Sequence, residues 1–555
     1  MTGLSRIIYS ALLLMAVGCG KSGGDKPSPP RVTPLPLNFA ALSVDGKADG
    51  FSYMGTGTRP VIRISFSDAV QRSTAAGACS FSGNGTNVPF NISWENGDST
   101  LVIQPTAALI NLTAYTITAG TSLQSTRQSK LLSAVTLSVF TGIDTTDKFP
   151  RITDEALLTL VQQQTFKYFW DFGHPVSGLA RERNTSGETV TSGGSGFGIM
   201  ATVVAVERGF VARTDAVHRL QQMTGFLLTK AARFHGAFPH WLNGSTGTVV
   251  PFSTKDDGAD LVETSYLVQG LLTARQYFNK ADITETQLRN DINAICNGVE
   301  WNWFRKGGEQ TLYWHWSSNY QWDMNMPIKG WNECLITYVL AASSPDPVPR
   351  SVYDNGWAGN GTMRNNQSYE GIPLPLGPAY GGPLFFSHYS FLGINPRGLK
   401  DAYADYEQQV TNHTRINYAY CVANRDRHYG YGADCWGLTA SDVPSGYNAS
   451  SPTNDVGVIA PTAALSSFPY TPEASMQALK FFYYKLGDKL WKAYGFTDAF
   501  SLQHNWFADS FLAIDQGPII VMIENYRTGL LWNLFMSCPE VKTGMQRLGF
   551  TSPHL

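Results

Sequence analysis

The chain has 555 residues, a formal net charge of -2, 15% charged residues and 12% aromatic residues. That length allows more than one domain and a large core. A charge so close to zero leaves no field that would draw nucleic acid or an anionic membrane surface, and low charge with many rings suits a neutral polymeric ligand or simply a large buried core.

The N-terminus reads as an export signal. Arg6 precedes an apolar run over residues 7–17 that is too short to cross a bilayer. The run ends in Ala16-Val17-Gly18-Cys19, which resembles a bacterial lipobox, although Ala16 is a less usual residue than Leu at that place. Residues 1–19 are therefore expected to be a lipoprotein signal peptide and Cys19 the lipidated residue. An exported bacterial lipoprotein follows, held at the periplasmic or outer cell face by its lipid alone. No acidic run follows Cys19, which favours the periplasmic side. Residues 20–35 are rich in Gly, Ser and Pro and read as a flexible linker.

Residues 36–147 carry β signals. Val61-Ile62-Arg63-Ile64-Ser65-Phe66, Phe90-Asn91-Ile92-Ser93-Trp94 and Tyr115-Thr116-Ile117-Thr118 alternate at period two. Asn96-Gly97-Asp98 makes a turn into Leu101-Val102-Ile103, and the last strand is expected over residues 135–140. Short strands with turn signals argue a small β-sandwich, and the run resembles the bacterial immunoglobulin-like modules of exported proteins.

From residue 150 to residue 555 the pattern turns helical. Thr153-Asp154-Glu155 reads as an N-cap with acids in the first turn. Further helices are expected near 196–209, 214–233, 259–278, 284–305, 332–342, 397–412, 472–486 and 518–536. No βαβ alternation is visible, so the chain is expected to be mainly α, with one large all-α domain and helix pairs arranged as a toroid. Ser192-Gly193-Gly194-Ser195-Gly196-Phe197-Gly198 lacks the Lys-Ser/Thr of a phosphate-binding loop and reads as a tight turn into a helix.

The chemistry concentrates in Lys255-Asp256-Asp257-Gly258-Ala259-Asp260-Leu261-Val262-Glu263. His240 and Trp241 lie before it, and Trp314, His315, Trp316 and Trp322 after it. Flat rings stack on pyranose faces, and paired carboxyls supply the proton donor and base that glycosidic cleavage needs. Asp260 and Glu263, three residues apart, share a helical face, so their mutual repulsion should raise one pKa. The alternative is a solvated acidic first turn of a helix. Glu333, in Gly330-Trp331-Asn332-Glu333, is a third candidate with the same alternative. Trp436, Trp506 and Asp515 stand in later loops beside further acids, where lining the cleft and structural hydrogen bonding are both open.

After Cys19 six cysteines remain, none in a CxxC pair, so no zinc site is expected. Cys421 and Cys435 are nearest in sequence, and a disulfide or two buried thiols are both open. The histidines lack metal-ligand spacing, His235 and His240 reading as polar contacts, and no metal or cofactor is expected.

Several motifs in order carry a resemblance. They are Thr165-Phe166-Lys167-Tyr168-Phe169-Trp170-Asp171-Phe172, Ser177-Gly178-Leu179-Ala180-Arg181-Glu182-Arg183, Gly194 to Met200, Asp260-Leu261-Val262-Glu263-Thr264, Tyr313-Trp314-His315-Trp316, Gly330-Trp331-Asn332-Glu333 and Asp515-Gln516-Gly517-Pro518. From about residue 152 onward the chain resembles the "glucoamylase-like" domain of glycoside hydrolase family 144, the bacterial β-1,2-glucanases. The resemblance implies an (α/α)6 toroid and an inverting hydrolase of linear β-1,2-glucan. It places the essential acids at Asp260, Glu263 and Glu333. The rings and polar side chains around the acids are read from the residues themselves as candidate substrate contacts: Asp256, His240, Trp241, Trp314, His315, Trp316, Trp322, Trp331, Trp436, Trp506 and Asp515. The resemblance does not assign acid and base, nor endo or exo action; oligomeric state stays open. A hydrolase of another glucan on the same fold, or a glycan-binding lipoprotein without turnover, are the competing readings.

Overall fold

The computed structural model describes residues 35–555. The signal peptide, the lipobox Cys19 and nearly all of the expected linker lie outside them. The chain divides into two compact units, one running up to Leu109 and including Ala114–Val139, the other comprising Ile110–Thr113 and Phe140–Leu555.

The first unit is a β-sandwich. One sheet has the order β1 (Phe39–Val44), β3 (Ile62–Phe66), β7 (Thr100–Pro105), β6 (Phe90–Glu95). The other has the order β2 (Ser52–Thr56), β9 (Val135–Thr141), β8 (Ala114–Ala119), β4 (Cys79–Gly83), β5 (Thr86–Asn87). In β3 the residues Ile62, Ile64 and Phe66 point inward and Arg63 and Ser65 outward, as the alternation dictates. Ile62 pairs with Ile103 and Ile64 with Leu101, fixing the register that puts both apolar rows in the core. The β6–β7 hairpin turns through Asn96, Gly97 and Asp98, all at positive φ, in the place the turn residues indicated.

The second unit is the (α/α)6 toroid. Its inner elements are the helices Ser192–Glu207, Leu261–Tyr277, Leu335–Ser343, Pro461–Leu465 and Ala513–Arg527, with the single turn Ser390–Leu392. These helices are buried on almost every face, which is why they read as apolar all round rather than as amphipathic. Buried side chains cross between several of them. Ser265 Oγ meets Thr337 Oγ1 at 2.9 Å, Gln269 bonds the backbone of Tyr389 and Gly393, Asn525 Nδ2 donates to Leu392 O, and Thr462 Oγ1 donates to Asp515 O. The outer helices, such as Asp154–Trp170, Arg213–Thr229, Ile283–Asn297 and Pro539–Leu548, back the ring.

The glycine run does not form a turn: the helix starts at Ser192, and the glycines are inside it. Their role is close approach. A Cβ on Gly196 would stand 2.1 Å from Tyr266 O, and one on Gly270 would stand 2.2 Å from Gly196 O, so only glycine lets these two inner helices touch backbone to backbone.

Three helix expectations are corrected. The segment expected at 397–412 becomes helical only at Tyr406, where Asp405 caps it, and continues to Ala423. Upstream, Lys400 pairs through its backbone with Thr551, and Asp401 accepts from the N–H groups of Tyr403 and Ala404, which commits that stretch to a loop. The segment expected at 284–305 ends at Asn297 before Gly298, and Trp301–Arg305 is a separate 3-10 turn. The segment expected at 518–536 breaks at Gly529, whose φ of 72° lets Leu530–Met536 start in a new direction.

Candidate active site

Asp260 is the N-cap of the helix Leu261–Tyr277. Its Oδ1 accepts from the N–H groups of Val262 and Glu263, both at 2.9 Å. Its backbone pairs with His315 in a two-residue bridge, Ala259 pairing with Trp316, and its N–H donates to Phe238 O. That arrangement draws the His240 and Trp314 loops onto one side chain. Asp260 Oδ2 accepts from Trp314 Nε1 at 3.2 Å and lies 3.3 Å from His240 Nδ1. Helix capping and site chemistry are therefore not alternatives here: one oxygen starts the helix and the other faces the cluster.

Glu263 sits one turn further on. Its Oε2 accepts from Gly193 N at 2.8 Å and Thr191 Oγ1 at 3.2 Å, and its Oε1 is 4.0 Å from His240 Nε2. A Cβ on Gly193 would approach Glu263 Oε2 to 2.5 Å, so the inner helix needs glycine there for the carboxylate to dock. Glu333 precedes the helix Leu335–Ser343. The Asn332 side chain accepts from Cys334 N at 2.9 Å, and the Glu333 carbonyl accepts from Ser390 Oγ. No side chain among the described residues hydrogen-bonds its carboxyl.

The three acids, with His240, Trp241, Phe252, Tyr266, Trp314 and Tyr389, line one cavity of about 440 Å³. Burial opposes charge throughout, and neighbours decide the outcome. Burial raises the Glu333 pKa to about 7, with the Asp260 and Glu263 charges adding to it. Burial also raises Glu263, despite His240, Gly193 and Thr191. At Asp260 burial is outweighed by the bond from His240 and the charge of His315, so its pKa falls below the usual carboxylate range. At His240 burial is outweighed by Glu263, Asp260 and Asp256, which raise it to about 9. The site thus holds an imidazolium between a firmly ionised Asp260 and Glu263, with a readily protonated Glu333 sharing the cavity.

His240, Asp256 and Asp260 each bring one donor atom within 4.8 Å of the others, a constellation that the sequence spacing did not signal. A divalent ion would fit such a set; the charged His240 already supplies positive charge there. Asp256 is buried, with Oδ1 3.4 Å from His315 Nδ1, so it backs the histidines rather than facing the cavity.

Other sequence expectations separate from the cavity. Trp436 is fully buried, its Nε1 donating to Ala474 O, because it fills the core under the Tyr418 ring. Trp331 is buried against Trp357 and Phe391. Trp506 packs beside Val443, Val458 and Ala499. None of these three lines the cleft, since aromatic residues next to acids in sequence are also what a large core requires. Trp316 and Trp322 belong to a second aromatic cluster around Trp303. Cys421 and Cys435 are free thiols.

The opposite wall was not legible as such. Glu182 and Arg183 line it with Ala440, Tyr447 and Ala449 from the hairpin Ala440–Val443/Gly446–Ala449. Arg183 Nη1 bonds both oxygens of Asp442 at 3.2 Å, and the Asp442 N–H donates to Asp498 Oδ2 at 2.6 Å. Asp498 and Asp515 are buried, and their carboxyls hydrogen-bond each other. Burial raises Asp498 to about 7, and burial with the Asp498 charge raises Asp515 well above the usual range. The two carboxyls behave as a pair that shares a proton. Asp515 therefore stands in this buried pair behind the cavity lining.

The "Putative glucoamylase" family model matches residues 325–539, and a bacterial Ig-like domain model matches residues 48–142. An exo β-1,2-glucooligosaccharide sophorohydrolase (non-reducing end) of Parabacteroides distasonis is 47% identical over 421 residues, 72% of this chain; the chain spans 58% of that relative's length. The endo-β-1,2-glucanase of Chitinophaga pinensis, solved with sophorotriose and glucose, is 51% identical with a TM-score of 0.71, over 73% of this chain and all of that one. The β-1,2-glucanase structure from Parabacteroides distasonis is 38% identical with a TM-score of 0.70, over 92% of this chain and 73% of that one. The ordered motifs, the toroid and these similarities place the chain in glycoside hydrolase family 144, the glucoamylase-like bacterial β-1,2-glucanases, with a bacterial Ig-like domain ahead of the catalytic one.

Proposed function

We propose that the protein hydrolyses β-1,2-glucan by inversion and releases sophorose or sophoro-oligosaccharides. The observation that carries the reading is the contrast between two carboxyls in one aromatic cavity. Glu333 has a pKa of about 7 and no side-chain hydrogen-bond partner among the described residues, while Glu263 is held through two donors on Oε2 with Oε1 directed towards His240. Glu333 is the general acid that protonates the glycosidic oxygen. Glu263 is the general base that takes a proton from water as the water attacks the anomeric carbon from the opposite face. Burial makes Glu263 a stronger base than a solvated glutamate, since its proton affinity rises with its pKa. Asp260 and His240 are positioning residues: Asp260 fixes the imidazole, and the imidazole fixes the charge beside Glu263. Trp241, Phe252 and Trp314 offer ring faces for the glucose units.

The names of the relatives support this substrate, and the neutral chain supports an uncharged polymer. The lipobox at Cys19 supports membrane attachment at the cell envelope by lipid alone. A substrate panel tests the reading. Purified protein lacking residues 1–19 is incubated with linear β-1,2-glucan, laminarin and soluble starch, and the products are separated by chromatography. Sophorose or a sophoro-oligosaccharide ladder from β-1,2-glucan alone is the expected result. Release from laminarin or starch with none from β-1,2-glucan refutes the substrate, and no release from any of the three refutes the hydrolase.

A further inference from the structure

All fourteen tryptophans fall among the described residues, and Trp303 alone is exposed, at 41%. Exposure of a single apolar ring is ordinary, and what marks Trp303 is the way its ring is held. One face of Trp303 is fixed: the His235 ring stacks on it at 3.6 Å and 14°, and His235 Nδ1 is itself held 2.9 Å from Glu300 Oε2. Trp316 supports both rings edge-on, and Trp322 lies 6.4 Å from Trp303 at 33°. Between Trp303 and Trp322 opens a surface groove of about 510 Å³, lined also by Asn302, Lys306, Gly307 and Gly308. Gly307 and Gly308 are both at positive φ, with nothing within 4 Å of where a Cβ would stand, so the floor beside the indoles stays clear. Lys306, whose Nζ donates to Asn325 Oδ1 at 2.6 Å, is the one charged residue among those lining the groove, so no carboxylate stands beside the indoles there.

The groove shares no lining residue with the catalytic cavity, yet the same loop builds both. Trp314 reaches Asp260 in the cavity. The bridge then pairs His315 with Asp260 and Trp316 with Ala259, and Trp316 packs edge-on against Trp303 with ring centroids 6.0 Å apart. A braced indole platform in an open groove without carboxylates, built by the loop that also supplies Trp314 to the catalytic cavity, fits a glucose polymer.

We infer that Trp303 and Trp322 form a second glucan-holding site, outside the catalytic cavity, that grips a distant part of a long chain. This rests on the proposed substrate only for the linkage of the glucan. Holding a chain at a second point raises its local concentration at the cleft, so the gain belongs to long substrates and is absent for short ones.

The test compares wild type with Trp303→Ala and Trp303→Tyr. The ratio of KM for long β-1,2-glucan to KM for a β-1,2-linked tetrasaccharide should rise about fivefold in W303A, as expected for losing one stacking contact, and return towards wild type in W303Y. A ratio unchanged in W303A overturns the site. A readout that needs no turnover separates this from the catalytic reading: migration in native gels containing β-1,2-glucan, laminarin or starch. If one of these retards wild type and W303A runs free of it, the site stands whether or not the wild type cleaves that glucan. Equal migration of the two in all three gels rejects it.

Discussion

Glu333→Gln should lower kcat about 10²- to 10⁴-fold, the usual range for losing a general acid, while substrate binding changes little. The amide keeps the shape of the side chain, and no side chain among the described residues depends on the carboxyl for a hydrogen bond. What is lost is the proton. In the wild type that proton leaves with a pKa of about 7, raised by burial and by the Asp260 and Glu263 charges. A general acid works only while protonated, so kcat/KM should fall as pH rises through about 7, and this alkaline limb should vanish in E333Q. A pH–rate profile of both proteins on a β-1,2-linked oligosaccharide checks it. Near-wild-type turnover in E333Q would remove Glu333 from the reaction.

Glu263→Ala should lose activity on a similar scale, about 10²- to 10⁴-fold, for a different reason. The carboxylate is fixed by Gly193 and Thr191 in a slot that needs glycine at position 193, so its removal leaves a small vacancy beside the cavity. Azide is a nucleophile that needs no base and is small enough for that vacancy. Added azide should restore part of the E263A turnover and form a glycosyl azide. It should restore none to Glu333→Ala, which still lacks the proton for the leaving oxygen. Mass spectrometry of the products reads the difference. Rescue of the Glu333 variant and not the Glu263 variant would exchange the two roles.

The legible parts of the fold were those in which one face of an element meets water. Ile62, Ile64 and Phe66 alternate with Arg63 and Ser65, and Thr153 caps an outer helix whose first turn carries Asp154 and Glu155, so both could be read locally. The strand Phe39–Val44 was harder, because its first three residues are all exposed and alternation is left only in its second half. The inner helix Ser192–Glu207 was misread at its start because glycine has poor helix propensity. Its glycines are there for contact with Tyr266, Gly270 and Glu263, which lie about seventy residues away.

The site divides in the same way. Asp260, Glu263 and Glu333 were legible because ordered motifs carry them. Tyr447, Asp442 and Asp498 were not, since a hairpin and a loop from far along the chain bring them opposite, and no local spacing reports that. The tryptophans show the limit of composition. Trp314 reaches the cavity, Trp436 and Trp331 fill the core, and Trp303, which no motif singled out, is the one left in water.

The central claim is that Glu333 and Glu263 act from opposite faces of one β-glucosidic bond. The most direct measurement is proton NMR of the newly formed reducing end in the first minutes of β-1,2-glucan hydrolysis, before mutarotation. Direct attack by water activated at Glu263 predicts the α-anomer first, with the β-anomer appearing only as the solution equilibrates. The β-anomer first would mean retention through a covalent intermediate and would contradict the account.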